Sequence, residues 1–160
     1  MARLTKDEWG LQLAVDTARR STCFLRAVGC VLVDLNGYVL ATGYNGTPRG
    51  TPNCNEFERA TGLRSKTRCP GDPVNNPLDC LSIHAEANAL LQCSDVNMIE
   101  TCYTTHRPCW HCVKLLSNTS CHRIVFIQDH EDKKPEEFWR RQKREWTSAI
   151  QITNMFFKRC

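Results

Sequence analysis

Two helix starts constrain this chain more than anything else in it. His84, with Glu86 two residues on, opens the alanine-rich run His84 to Gln92; Cys109-Trp110-His111-Cys112 follows Pro108 and opens a second run to Asn118. Between them Ile99 to Thr105 reads as a strand. A Cys-x-x-Cys pair at a helix start spans one turn, so both sulfurs can converge on one ion at about 2.3 Å. The partial positive charge of a helix N-terminus favours the thiolate form that zinc requires. Pro108 fits beside the first turn, where a missing N–H costs nothing. With His84 as third ligand, the fourth tetrahedral position stays open, as in catalytic rather than structural zinc sites.

A zinc ion with an open position brings the pKa of its water down to about 7. Glu86 is placed to reach that water while the His84 imidazole holds the metal, which suits it to carrying protons. Taken alone, Cys-x-x-Cys is more often half of a zinc knuckle or a redox pair. A thioredoxin-like redox role for Cys109 and Cys112 leaves His84 and Glu86 without a purpose. A non-catalytic zinc-stabilised binding module leaves Glu86 without one.

The surrounding pattern alternates strands and helices, which predicts an α/β layered domain. Thr5 is a candidate N-cap, with Glu8 three residues later, for a helix over 5–20 whose apolar face is read as Trp9, Leu13, Val15 and Ala18. Val28 to Asp34 is a continuous apolar run, as in a strand buried on both faces. Asn36-Gly37 marks a turn, and Tyr38 to Tyr44 the returning strand. Arg123 to Gln128 is a further strand and Pro135 to Ser148 a charged helix carrying Phe138, Trp139 and Trp146; Ala149 to Phe157 is left as a last strand or an irregular tail.

From Asn45 to about Ile83 the pattern lapses into a glycine- and proline-rich stretch with Cys54, Cys69 and Cys80. A loop of that length inside a compact domain needs something to order it.

The chain has 160 residues, enough for one domain covering 1–160, here with a cysteine-bearing insert at about 46–83. Its net charge of +4 is compatible with anionic small ligands and too weak to argue for nucleic acid. The polar start carries no signal-like apolar run, and no segment is long enough to span a membrane. The expectation is a cytoplasmic protein, in which 11 cysteines read as metal ligands, catalytic groups or small core residues rather than disulfides.

His84-Ala85-Glu86 with Pro108-Cys109-Trp110-His111-Cys112 resembles the zinc deaminases of the cytidine deaminase superfamily, whose known signature is His-x-Glu followed by Pro-Cys-x-x-Cys. Arg20-Ser21-Thr22-Cys23, Val28 to Val33 and Thr42 to Gly50 narrow the resemblance, over roughly residues 5–130, to bacterial and phage deoxycytidylate (dCMP) deaminases. That resemblance implies a three-layer α/β/α fold with a central five-stranded mixed sheet, and hydrolysis of dCMP to dUMP and ammonia in supply of thymidylate. Deamination of dCTP or of a 5-modified dCMP is a close alternative, a tRNA adenosine deaminase a more distant one.

By the same resemblance Asn45 contacts the nucleotide and the Ala85 backbone serves the base. Arg26 and Arg49 are candidates for the phosphate, since a guanidinium suits it. A tight turn at Asn45 and solvated arginines are the plainer readings. Family members are commonly hexamers, switched on by dCTP with Mg2+ and off by dTTP near residues 46–50. Relatives often carry a phosphate-holding tyrosine after the strand ending at Gln128. Here Asp129-His130-Glu131-Asp132 stands instead, and acidic groups would repel a phosphate unless His130 takes the contact over.

Cys23, Cys54, Cys69 and Cys80 are candidate ligands of a second, structural zinc, which would supply order to the irregular stretch. Some phage relatives hold such a zinc with a cysteine at the position of Cys23; the alternative is four free thiols. Cys30, Cys93, Cys102 and Cys121 read as core residues, and Cys160 as a free terminal thiol. His106, His111 and His122 have no assigned role.

Overall fold

A computed structural model describes residues 3–23, 25–54, 56 and 80–149. Helix α1 (Lys6–Ala18) leads into strands β1 (Gly29–Val33) and β2 (Val39–Tyr44). The cysteine-bearing stretch follows. Helix α2 (Ala85–Gln92), strand β3 (Thr101–His106), helix α3 (Trp110–Ser117) and strand β4 (Arg123–Gln128) form the centre. Helix α4 (Lys134–Arg141) and strand β5 (Glu145–Ser148) complete the described fold. The five strands form one sheet in the order β2-β1-β3-β4-β5. β1 is antiparallel to β2 and β3, while β3, β4 and β5 run parallel. This is the mixed five-stranded sheet that the sequence resemblance implied.

Side-chain alternation along β1 divides the core in two. Val31 and Val33 face α1, together with Leu11, Ala14, Tyr103 and Val125. Cys30 and Leu32 face the opposite layer, where Ala85, Ala89, Val113, Leu116 and Trp139 of α2, α3 and α4 gather. Every residue of β1 is buried, because helices cover both of its faces. Cys30, Cys102 and Cys121 are core residues, and Cys93 packs at the edge of the same cluster. Among the described residues, no helix is long and apolar enough to cross a membrane.

Helix α1 begins as its sequence predicts. Thr5 Oγ1 accepts from the Glu8 backbone N–H at 3.2 Å and Glu8 returns a bond to the Thr5 N–H, a complete capping box. Its buried face is a correction. The helix buries Gly10, Leu11, Ala14 and Ala18, while Trp9 and Val15 are exposed. The reason is close approach: a Cβ on Gly29 of β1 would collide with the Ala14 carbonyl and the Ala18 backbone nitrogen. A helix pressed this near a sheet presents small residues inward and leaves its bulky ones at the rim.

Gly43 does the same for α2, since a Cβ there would meet the Ala85 carbonyl and the Ala89 nitrogen. That contact fixes how far the α2 N-terminus, with His84 and Glu86, stands from β2. Gly43→Ala is expected to cost about 1–3 kcal/mol through overpacking. In a chain of this size that lowers Tm by about 2–12 °C. Gly46→Ala is the control, because its Cβ would find only Thr22 Oγ1, at 3.6 Å. Equal melting temperatures for the two variants would refute the close-packing account.

The second correction is at the C-terminal end. The charged run after Pro135 does not stay helical to Ser148. α4 ends at Arg141, Lys143 takes a left-handed backbone at φ 60°, and Glu145–Ser148 forms an edge strand. Trp146 thereby reaches the core beside Phe126, with ring centroids 5.3 Å apart. Trp139 and Trp146, seven residues apart, match helical spacing, and the left-handed position is a lysine rather than the glycine that would have signalled a stop.

Candidate active site

The C-terminal ends of β3 and β4 and the start of β1 lie along one edge of the sheet, where open α/β sheets bind ligands. A cleft of about 200 Å3 opens there. Its floor carries His84, Ala85, Glu86 and Cys109; Asn45 and Val28 line it as well. The long stretch begins and ends beside it. Gly46 and Ile83 form a two-way bridge, with N···O distances of 3.2 and 2.8 Å, that closes the insert at its base and delivers the chain to His84.

His84 is the N-cap of α2 and Cys109 the N-cap of α3, and neither side chain caps its helix. Both turn to the space between the helix ends. Cys109 Sγ and Cys112 Sγ each lie 3.4 Å from His84 Nδ1. Bonds of about 2.3 Å to sulfur and about 2.0 Å to nitrogen, at a tetrahedral angle, place such atoms about 3.5 Å apart. The three ligand atoms lie within 4.8 Å of one another, the one such set of three among the described residues. The donor set therefore fits zinc, bound through Nδ1 of the imidazole. Hydrogen bonds from Cys112 and then His84 pull the Cys109 thiol down to about 3, while the bond to Cys109 and burial push Cys112 up.

Glu86 is 4% exposed, in the first turn of α2 behind this set. Burial raises its carboxyl pKa, against the lowering effects of its own backbone N–H and of His84. A carboxyl of raised pKa can both take and return a proton near neutral pH.

Asn45 is buried at the end of β2, with most of its amide engaged. Oδ1 accepts from Val28 N at 2.9 Å and Ser21 Oγ at 2.6 Å, and Nδ2 donates to the Arg26 carbonyl at 2.8 Å. One Nδ2 hydrogen remains for a ligand. The side chain thus also clamps the strand entry at residues 26–28 to the cleft wall, and gives Ser21 of the Arg20–Cys23 motif a role that the sequence reading did not assign. Arg26 is exposed and lines the cleft. Arg49 is exposed in the turn at residues 48–51 and is not among the lining residues. Of the second-zinc candidates, Cys54 is buried, Cys23 and Cys80 are half-buried, and Cys69 lies outside the described residues.

Arg107 is the main residue the sequence reading missed. Its side chain is fully buried against the cleft, and Nη1 donates to Asp129 Oδ1 at 2.6 Å and to the His130 carbonyl at 3.0 Å. Nη2 pairs with Glu136 Oε2 at 3.2 Å, and the guanidinium stands 5.2 Å from the Trp146 ring centre. Burial works to raise the Asp129 pKa, but the bond from Arg107 prevails and lowers it. Asp129 is therefore paired rather than a free repelling charge, contrary to the expectation for residues 129–132. No local pattern marks this arginine, since its partners lie 22 and 29 residues away.

A profile of the cytidine and deoxycytidylate deaminase zinc-binding region matches residues 4–128. The chain belongs to that family. It is 37% identical over 132 residues to a deoxycytidylate deaminase of Mycobacterium phage D29, covering 81% of this chain and 99% of that one. It is 40% identical over 124 residues to a deoxycytidylate deaminase of Schizosaccharomyces pombe, covering 75% of this chain but 36% of the yeast protein. The dCMP deaminase of cyanophage S-TIM5, solved with dCMP and dUMP, has the same fold at a TM-score of 0.69 and 24% identity, over 92% of this chain and 99% of that one.

Proposed function

We propose that this chain hydrolyses dCMP to dUMP and ammonia, with His84, Cys109 and Cys112 holding zinc and Glu86 carrying the protons. The observation that supports it most is the buried Glu86 carboxyl beside a three-ligand set, on the floor of one cleft. Its phage relative, matched over 99% of its length, is a deoxycytidylate deaminase. The chemistry supplied by zinc at these ligands is activation of water at neutral pH.

Glu86 takes a proton from the attacking water and passes it to the ring nitrogen N3 as oxygen bonds to C4. It then takes the remaining proton from the C4 hydroxyl and gives it to the amine, so that the C4–N bond breaks to release ammonia and leaves the C4 carbonyl of dUMP. The Ala85 backbone and the remaining Asn45 N–H orient base and sugar, and Arg26 stands toward the phosphate. The test is ammonia release from a panel of dCMP, dCTP, 5-methyl-dCMP, deoxycytidine and an adenosine-containing RNA hairpin. Turnover of dCMP well above the rest is expected; an inert dCMP beside a reactive RNA or dCTP would reject the substrate.

Three further readings belong to the same proposal. A structural zinc on Cys23, Cys54, Cys69 and Cys80 would order the stretch whose ends the Gly46–Ile83 bridge joins. The resemblance supports a hexamer switched by dCTP with Mg2+ and by dTTP beside residues 46–50. Thiolate ligands suit a reducing compartment such as the cytoplasm.

A further inference from the structure

The rim of the cleft is built differently from its floor. Arg26, His106 and His130 line the cleft, and the same three line a second groove just outside it, which continues over Gln128 and Asp129. They therefore form the lip between the floor and solvent. Among the described residues, Glu86 is the sole carboxylate lining the cleft. Asp129, on the outer groove, is bound to Arg107. Glu136 is bound to Arg107 and, at 2.9 Å, to Arg140, so two guanidiniums balance the Asp129 and Glu136 carboxylates beside the lip.

Arg107 also holds the His130 carbonyl, and so fixes the backbone from which that imidazole enters the cleft. The opposite side of the lip is just as firmly held. His106 Nδ1 meets Thr105 Oγ1 at 3.0 Å, Thr105 Oγ1 in turn accepts from Gly29 N, and Asn45 grips the Arg26 carbonyl.

We propose that Arg107 is a positioning residue for substrate charge: by tying down Asp129 and the His130 carbonyl, it holds His130 with Arg26 and His106 as a lip that takes a phosphate monoester. A buried arginine suits this role because its planar group serves several acceptors at once from the cleft wall. Burial, and then the charges of Arg26 and His130, hold His106 below its ordinary pKa. A phosphate dianion there relieves that repulsion and favours a protonated His106. The inference rests on the deaminase reading, which puts the base on the floor and so turns the phosphate outward.

The test measures binding of the products by calorimetry, comparing dUMP with deoxyuridine on zinc-loaded protein. The wild type is expected to favour dUMP by at least about tenfold, the worth of one charge-assisted contact. His130→Ala and Arg107→Met should both shrink that preference several-fold and leave deoxyuridine affinity in place. Arg107→Lys keeps a charge but not the three bonds, and should fall between wild type and Arg107→Met. If Arg107→Met does not fold, Asp129→Asn weakens the same tether from the exposed side and should also narrow the preference.

A wild-type preference near one overturns the inference whether or not dCMP is deaminated. So does an Arg107→Met protein that melts earlier yet keeps the full preference, which would make the arginine merely structural. A strong preference for dUMP in a protein inert toward dCMP would overturn the deaminase reading instead and leave the lip standing.

Discussion

Glu86→Gln is expected to lower kcat by about a hundred- to ten-thousand-fold while zinc content and KM stay close to wild type. The range is that of a lost general acid–base group and corresponds to about 3–5 kcal/mol of transition-state stabilisation. Glutamine keeps the shape of the side chain and its hydrogen-bonding reach but cannot take a proton. The expectation for stability has the opposite sign. A buried carboxyl whose pKa is raised by desolvation is a burden on the fold, and a neutral isostere removes it. Tm should therefore hold or rise as activity falls. Ammonia release, elemental zinc and a thermal melt on one preparation check all three. A variant retaining turnover within tenfold of wild type would assign the proton transfers to another group; a variant losing zinc would show Glu86 to be a structural member of the site.

Much of this site could be read from sequence because its geometry is carried by helix starts. His84 and Cys109 each sit where a chain turns into a helix, and both positions follow from local signals: an alanine-rich run in one case, a proline in the other. The strand between them and its parallel neighbour are both read as strands from the sequence, and both form. What local pattern could not supply were long-range electrostatics and backbone proximity. Arg107 looks like any polar residue beside a proline until β4 brings Asp129 and α4 brings Glu136 against it. The α1 face is centred differently from its sequence reading: Ala18 is buried as expected, but Trp9 and Val15 are exposed. The close contact of Gly29 with α1 places Ala14 inside and Trp9 at the rim. The end of α4 was misread because no residue there is a poor helix former, and only the need to pair an edge strand with β4 stops it.

Removal of zinc should abolish turnover and lower the melting temperature without unfolding the domain at room temperature. The sheet and its two core layers do not depend on the metal site, since β1, β3 and β4 are covered by α1 on one side and by α2, α3 and α4 on the other. What the ion joins is the N-terminus of α2 to that of α3, through His84 Nδ1 and the two sulfurs 3.4 Å from it. At free zinc about a thousand times its Kd, binding adds about 4 kcal/mol to the folded state. For a chain of this size that is a Tm difference of about 8–16 °C between loaded and stripped protein. The difference should grow with added zinc, as mass action requires. Cys109→Ser should lose one zinc and most of this increment, along with activity. Two zinc ions per wild-type chain falling to one in that variant would support the structural site at Cys23, Cys54, Cys69 and Cys80. One falling to none would remove that site and leave the catalytic one intact. An unchanged zinc count in Cys109→Ser would contradict the ligand set itself, since the Cys109 and Cys112 sulfurs at 3.4 Å from His84 Nδ1 would then be neighbours with no shared ion.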